Sequence, residues 1–272
     1  GYPEQFTIID TADAMEAINL LRSRLNFQKN ARRFPKKSTI YNIISTSINK
    51  QKTIQHVVED EYSQFIPHIG QLEELAVQYS DYKEGNFVMD FDDLLVKTRD
   101  LLLNNPEVKQ EIASKHRHVM VDEYQDTNAL QADLTRLFSD VHGNVMAVGD
   151  DAQSIYSFRG ADPRNMFRFP DIFEGTELIK LEENYRSTQK ILDLANRVLD
   201  QAQEKFDKKL YTSREEGEMP GLVKSANMND QSRFITQMIL NLREQGMELS
   251  DIAVLFRNGR DSFDLEVMLN RK

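Results

Sequence analysis

The residues best suited to chemistry lie in three short polar blocks, Val121–Asn128 (VDEYQDTN), Gly149–Ala161 (GDDAQSIYSFRGA) and Leu181–Ser187 (LEENYRS). Asp122 and Glu123 close an apolar run, which places one carboxylate where it can hold Mg²⁺, directly or through water. The second is within reach of a water that must be oriented for in-line attack on a γ-phosphate. Such a pair after a strand can also simply cap the next helix. Gln153 is a neutral side chain able to touch both a phosphate oxygen and that water, or to bond its own loop. Arg186 offers a planar fork of donors suited to developing phosphoryl charge; the alternative is a side chain lying over a sheet edge. Tyr156 and Phe158 stand two apart, so extended backbone would turn them the same way. Single-stranded bases stack on such rings for ~1–3 kcal/mol each, although two core aromatics would have the same spacing. Arg159 could meet a phosphate or bridge to the acidic residues.

Taken together, the blocks resemble those of the UvrD/Rep family of superfamily 1 DNA helicases. Val121–Asn128 is similar to motif II, Gly149–Ala161 to motif III and Leu181–Ser187 to motif IV. Met89–Leu95 (MDFDDLL) is similar to a stretch shortly before motif II. The resemblance implies ATP and Mg²⁺ as cofactors and 3′-to-5′ movement on single-stranded DNA from duplex/single-strand junctions. It implies that Asp122 is associated with the metal, that Glu123 positions or deprotonates the attacking water, and that Gln153 couples nucleotide state to DNA. It also implies that Arg186 is an arginine finger, that Tyr185 stacks on the base, and that Tyr156, Phe158 and Arg159 meet DNA. The family often has Trp where this chain has Phe158, a smaller stacking surface.

The elements that must position these residues change character along the chain. The first ~85 residues read as helical. Asp10 or Thr11 can cap a helix with Ala14, Met15, Ile18, Leu21 and Leu25 at helical spacing. A further helix is expected from about Val57 to Tyr82, interrupted near Pro67 and Gly70. Asp90–Leu103 reads as a helix with Leu94, Leu95, Leu101 and Leu102 inward, stopped by Asn104-Asn105-Pro106. Beyond it, His118–Val121, Asn144–Val148, Glu177–Leu181 and Asp251–Phe256 are short apolar or β-branched runs between helical stretches, the pattern of βαβ units and a parallel sheet. Ligands of open α/β sheets bind beyond the carboxyl ends of the strands, and all three blocks sit at such ends. Asp200–Gly217 is charged and polar and reads as a surface loop or frayed helix end.

The expected fold class is α/β: incomplete RecA-like parallel-sheet motor domains of the P-loop NTPase type with an N-terminal helical accessory domain. Residues 1–85 are the accessory domain, 86–178 the later part of the first motor domain and 179–272 the first part of the second. None of the 11 glycines is followed by lysine, so the chain carries no phosphate-cradling Walker loop. It reads as an internal piece of a longer enzyme, unable by itself to turn over ATP and prone to self-association through exposed sheet edge.

Composition sets outer bounds. With no cysteine there is neither a disulfide framework nor a thiolate metal site. No apolar run approaches the ~20 residues that span a bilayer, so no membrane is expected and the cytoplasm is the default compartment. The net charge of −10 opposes nucleic-acid binding, but Arg22–Lys52 holds nine basic residues and no acidic one. The five histidines are scattered and carry no assigned chemistry. Two other classes fit the residues: a non-catalytic DNA- or protein-binding module, and a Mg²⁺-dependent nuclease or phosphatase built on Asp122, Glu123, Asp150 and Asp151.

Overall fold

A computed structural model describes residue 3 and residues 5–27, 34–157 and 160–270. The chain is rich in helix and divides into two compact units, Gly1–Leu181 with Ala202–Lys208, and Glu182–Gln201 with Lys209–Lys272.

The first unit opens with a strand too short to read from sequence, β1 (Thr7–Ile8). Four helices follow: α1 (Thr11–Arg24), α2 (Lys37–Asn49), α3 (Ile54–Glu61) and α4 (Ile69–Gly85). Asp10 caps α1 by accepting from the Asp13 N–H at 2.9 Å. The helical spacing then buries Ala14, Ala17, Ile18 and Leu21, while Met15 and Leu25 are half-buried at the margin. A six-residue 3-10 helix, Ser63–His68, contains Pro67 and separates α3 from α4, because proline cannot donate to the ladder. Ile40, Ile43, Val57, Val58, Leu72 and Leu75 are fully buried and make these helices one core. The chain returns in β2 (Val88–Met89), which pairs parallel with β1, so the helical bundle is an excursion between two neighbouring strands.

Next come α5 (Phe91–Asn104) and α6 (Pro106–Lys115), the first begun by a reciprocal cap between Asp90 and Asp93. Leu102 is buried and Leu94 and Leu95 half-buried as the periodicity requires, but Leu101 lies 47% exposed on the flank of the helix. Then β3 (Val119–Val121), α7 (Ala129–Ser139) and β4 (Val145–Ala147) make a βαβ unit, with Val119, Met120 and Val121 paired parallel to Val145, Met146 and Ala147. Leu102, Leu134 and Leu137 pack α5 on α7. Two one-turn helices, α8 (Arg164–Phe167) and α9 (Phe169–Ile172), follow.

The second unit contains α10 (Gln189–Leu199), α11 (Met228–Glu244) and α12 (Phe263–Leu269). Glu177–Leu181 and Asp251–Phe256 are not strands, contrary to the sequence pattern. A strand exists only through a paired neighbour, and these runs have none among the described residues; Ile179, Leu181 and Leu255 are 73%, 82% and 93% exposed. The one pairing near them is an isolated parallel bridge between Glu183 and Tyr211. No helix among the described residues is long and apolar enough to cross a membrane.

Candidate functional site

The parallel register of β3 and β4 brings the ends of two of the blocks side by side. Val148 N–H donates to the Val121 carbonyl at 2.8 Å and Tyr124 N–H to the Val148 carbonyl at 2.9 Å, so both loops leave the same end of the sheet. Between those two bonds the backbone turns through Glu123 in the left-handed region (φ 49°), a conformation costing of order 1–3 kcal/mol for a non-glycine residue. Its neighbours hold it there. Asp122 accepts the Glu123 N–H on Oδ1 at 2.9 Å, and Tyr124 is fully buried with its ring edge-on to Phe169 at 5.3 Å. The turn aims Glu123 away from the sheet, leaving the carboxylates of both Asp122 and Glu123 exposed to solvent.

Gln125, only 1% exposed, ties the loops together. Its Nε2 donates to Glu123 Oε2 at 2.7 Å, and its Oε1 accepts from the Asp150 N–H at 3.0 Å. Gly149 passes so close that a Cβ there would lie 2.6 Å from Gln125 Oε1, which is why the second loop begins with glycine. The result is a cleft of about 510 Å³ lined by Glu123, Gln125, Asp126, Ala152, Gln153, Ile155 and Tyr156. Desolvation, reinforced by the Glu123 charge, pushes the Asp126 carboxyl above its ordinary range.

Gln153 is exposed at this cleft and donates from Nε2 to Asp150 Oδ2 at 2.8 Å. Asp150 and Asp151 both receive the Lys208 ammonium, and Asp151 Oδ2 accepts from Phe206 N–H at 3.0 Å. Burial raises the Asp150 carboxyl, but Lys208, Gln153 and the Ala152 N–H outweigh it and the group lies below its ordinary value. Two carboxylates neutralised by a lysine are poorly placed to hold a metal. The four-carboxylate hydrolytic centre therefore has no geometric support, and no cluster of three or more His, Cys, Asp or Glu among the described residues suits a metal ion. Asp122 Oδ2 has no partner among the described residues. That donor set fits Mg²⁺ bound mainly by phosphate oxygens and water, which asks only one or two carboxylates of the protein.

Arg186 and Tyr185 belong to the second unit. Asn184 Oδ1 accepts from the N–H groups of Arg186 and Ser187 at 2.9 and 2.7 Å, and the turn this makes presents both side chains to solvent. The Arg186 guanidinium makes no ion pair or hydrogen bond among the described residues. Tyr185 is 74% exposed and donates to Glu183 Oε2 at 2.9 Å. The helix that follows has Thr188 at its N-cap position and starts at Gln189. Tyr156 is 37% exposed at the cleft mouth; Phe158 and Arg159 lie outside the described residues.

Three residues matter that the sequence reading left without a role. Gln125 lay inside a recognised block, and a lone buried amide beside an acidic pair is the signal that could have marked it. Lys208 carried no signal. Asn49, at the end of α2, donates to Asp92 Oδ1 at 2.8 Å and accepts from Asn128 Nδ2 at 2.7 Å, fixing the first block to the helical bundle. The basic run around it is largely engaged locally, with Lys37, Lys50 and Lys52 paired to Glu16, Glu61 and Asp60. Lys29, Arg32 and Arg33 lie outside the described residues.

Comparison with known proteins gives the family. The UvrD/REP helicase N-terminal domain matches residues 1–174 and the UvrD-like helicase C-terminal domain residues 179–272. The chain is 33% identical to DNA helicase II of Escherichia coli (strain K12) over 267 residues, 98% of this chain and 36% of that protein. It is 34% identical to ATP-dependent DNA helicase PcrA of Staphylococcus aureus (strain NCTC 8325 / PS 47) over 272 residues, again 98% of this chain and 36% of the relative. It thus spans a little over a third of the length of these relatives.

Proposed function

The chain belongs to the UvrD/REP helicase family, and from that premise we propose that it is the central part of an ATP-dependent 3′-to-5′ DNA helicase. Its cleft at the ends of β3 and β4 is the hydrolytic half of a nucleotide site. The observation that carries the reading is the Gln125 bridge, which sets Glu123 and the Gln153 loop around one acidic cleft.

The βαβ unit is the later part of a RecA-like motor domain, residues 86–178, with 1–85 an accessory domain and 179–272 the opening of a second motor domain. Asp122 would hold Mg²⁺, which supplies charge neutralisation for the phosphates when bound. Glu123, held by Gln125 in the left-handed turn, orients a water and accepts its proton. Gln153 contacts that water or a phosphate oxygen and so couples nucleotide state to the DNA site. Arg186, without a side-chain partner among the described residues, is available as an arginine finger, and Tyr185 as a stacking surface for a base. Tyr156, with Phe158 and Arg159, touches single-stranded DNA next to a duplex junction. Lacking a Gly-Lys phosphate cradle, these 272 residues by themselves turn over no ATP.

The test is DNA-stimulated ATP hydrolysis by the full-length protein. Glu123→Gln should lower kcat by ~10²–10⁴-fold, the usual worth of a general base, with ATP affinity kept. A loss below tenfold, or robust ATP turnover by residues 1–272 alone, would overturn the proposal. Cleavage of DNA without ATP would instead favour the nuclease reading.

A further inference from the structure

Residues Ala202–Lys208 pack with the first unit although the chain on both sides of them, Glu182–Gln201 and Lys209 onward, belongs to the second. A seven-residue polar segment needs specific anchors to hold that position, and three of them involve Phe206 and Lys208. The Phe206 ring stacks on Phe167 with centroids 4.9 Å apart and planes 24° from parallel. Phe206 N–H donates to Asp151 Oδ2 at 3.0 Å. The Lys208 ammonium bridges Asp150 and Asp151, and the three side chains are 17%, 35% and 7% exposed.

This lysine is not an ordinary surface partner. Asp150, which it neutralises, also accepts from Gln153 Nε2 at 2.8 Å, and its backbone N–H donates to Gln125, whose amide in turn holds Glu123. A continuous chain of hydrogen bonds therefore runs from Lys208 through Asp150 to both Gln153 and Glu123. Without the ammonium, two adjacent carboxylates would face each other partly buried, and like charges at that distance would spread the loop that carries Gln153.

We propose that Ala202–Lys208 is a strap and Lys208 a positioning residue, setting Gln153 and Glu123 from a segment whose two ends are covalently continuous with the second unit. Tension on either end of the strap is then felt at the cleft. The assignment of Lys208 to the loop rests on contacts alone; only its consequence for hydrolysis rests on the nucleotide reading above.

Hydrogen exchange measured by mass spectrometry on the 272-residue chain tests the strap, comparing Lys208→Met, Lys208→Arg and, as a neighbouring charge control, Lys209→Met. Exchange in residues 148–157 should rise about fivefold or more in Lys208→Met, and stay within about twofold of the parent in the other two. Residues 69–85 should be unchanged in all three. If Lys208→Met also loosens residues 69–85, the double variant Lys208→Met/Asp151→Asn, which removes the facing charge, should restore protection in both regions. Unchanged exchange in residues 148–157 of Lys208→Met, or no restoration in the double variant, overturns the strap. In the full-length protein, Lys208→Met should lower kcat for DNA-stimulated ATP hydrolysis about tenfold with KM for ATP within about twofold, and Lys208→Arg should recover most of it. Loss of ATP turnover in the unaltered protein would sink the nucleotide reading, while the exchange experiment would still decide the strap.

Discussion

Replacing Gly149 by alanine tests the packing on which the cleft depends. The added methyl would lie 2.6 Å from Gln125 Oε1, 3.2 Å from Met166 Sδ and 3.3 Å from the Gln125 backbone nitrogen. Reaching ordinary contact at 3.4 Å requires the amide oxygen to retreat by about 0.8 Å, because the Gln125 backbone is fixed by the 3-10 turn at Tyr124–Asp126. Gln125 is 1% exposed, so the retreat breaks its 3.0 Å bond with the Asp150 N–H and leaves both groups without a partner. Overpacking costs ~1–3 kcal/mol and a stranded buried polar group ~1–3 kcal/mol, so a total of about 2–6 kcal/mol follows. For a unit of this size that lowers Tm by on the order of 10 °C. Differential scanning calorimetry measures it, with Gly70→Ala as the contrast: Gly70 is in the first turn of α4 with nothing within 4 Å of a new Cβ, and alanine there should gain up to ~1 kcal/mol. Equal melting of Gly149→Ala and the parent would refute the close-approach argument.

Lys83 is 4% exposed between Asp90 and Asp93, 2.8 and 2.6 Å from their Oδ2 atoms, so Lys83→Met should destabilise by about 3–5 kcal/mol in urea unfolding at pH 7. The deficit should shrink as acidification protonates the stranded carboxylates; a loss under 1 kcal/mol would refute the assignment. Burial raises the Asp92 carboxyl above its ordinary value, so its neutral form is favoured in the folded chain, and the associated stability is present at low pH and lost as pH rises through the raised value. Asp92→Asn keeps an oxygen for Asn49, and its stability relative to the parent should therefore increase between pH 4 and pH 7; a decrease would reverse the sign of the argument. Met120 and Met146 are 73% and 55% exposed on the two-stranded sheet β3–β4, so the chain should self-associate in sedimentation experiments and Met120→Lys should reduce that association.

Much of this arrangement was legible from local pattern because its causes are local. Asp10 and Asp90 are caps whose partners lie three residues on, and the Asn104-Asn105-Pro106 stop ends α5 where the sequence places it. The runs before Asp122 and Gly149 are strands, and their pairing side by side is what brings the first two blocks to one end of a sheet. The failures have the opposite cause. β1 and β2 are two residues each and exist only through each other, across the whole helical bundle. Glu177–Leu181 and Asp251–Phe256 have the composition of strands, but composition supplies no partner. Leu101 follows the apolar spacing of α5 and is exposed because burial depends on what packs against a face.

The same distinction explains why a glutamine stands at position 125. Its place requires a donor toward the Glu123 carboxylate and an acceptor for the Asp150 N–H from a single side chain, and the Gln125 amide offers both at once, Nε2 to the first and Oε1 to the second. Glutamate would set a second negative charge against Glu123 in a buried position, and asparagine, one methylene shorter, would not reach both groups from the same backbone. The amide therefore does what neither a charge nor an apolar side chain can: it holds the left-handed Glu123 turn to the backbone of a loop 25 residues away. Through Asp150 it passes the position of Lys208 to the cleft. The residues proposed for chemistry are recognisable by type, whereas those that hold them are recognisable only by the pair of partners they satisfy.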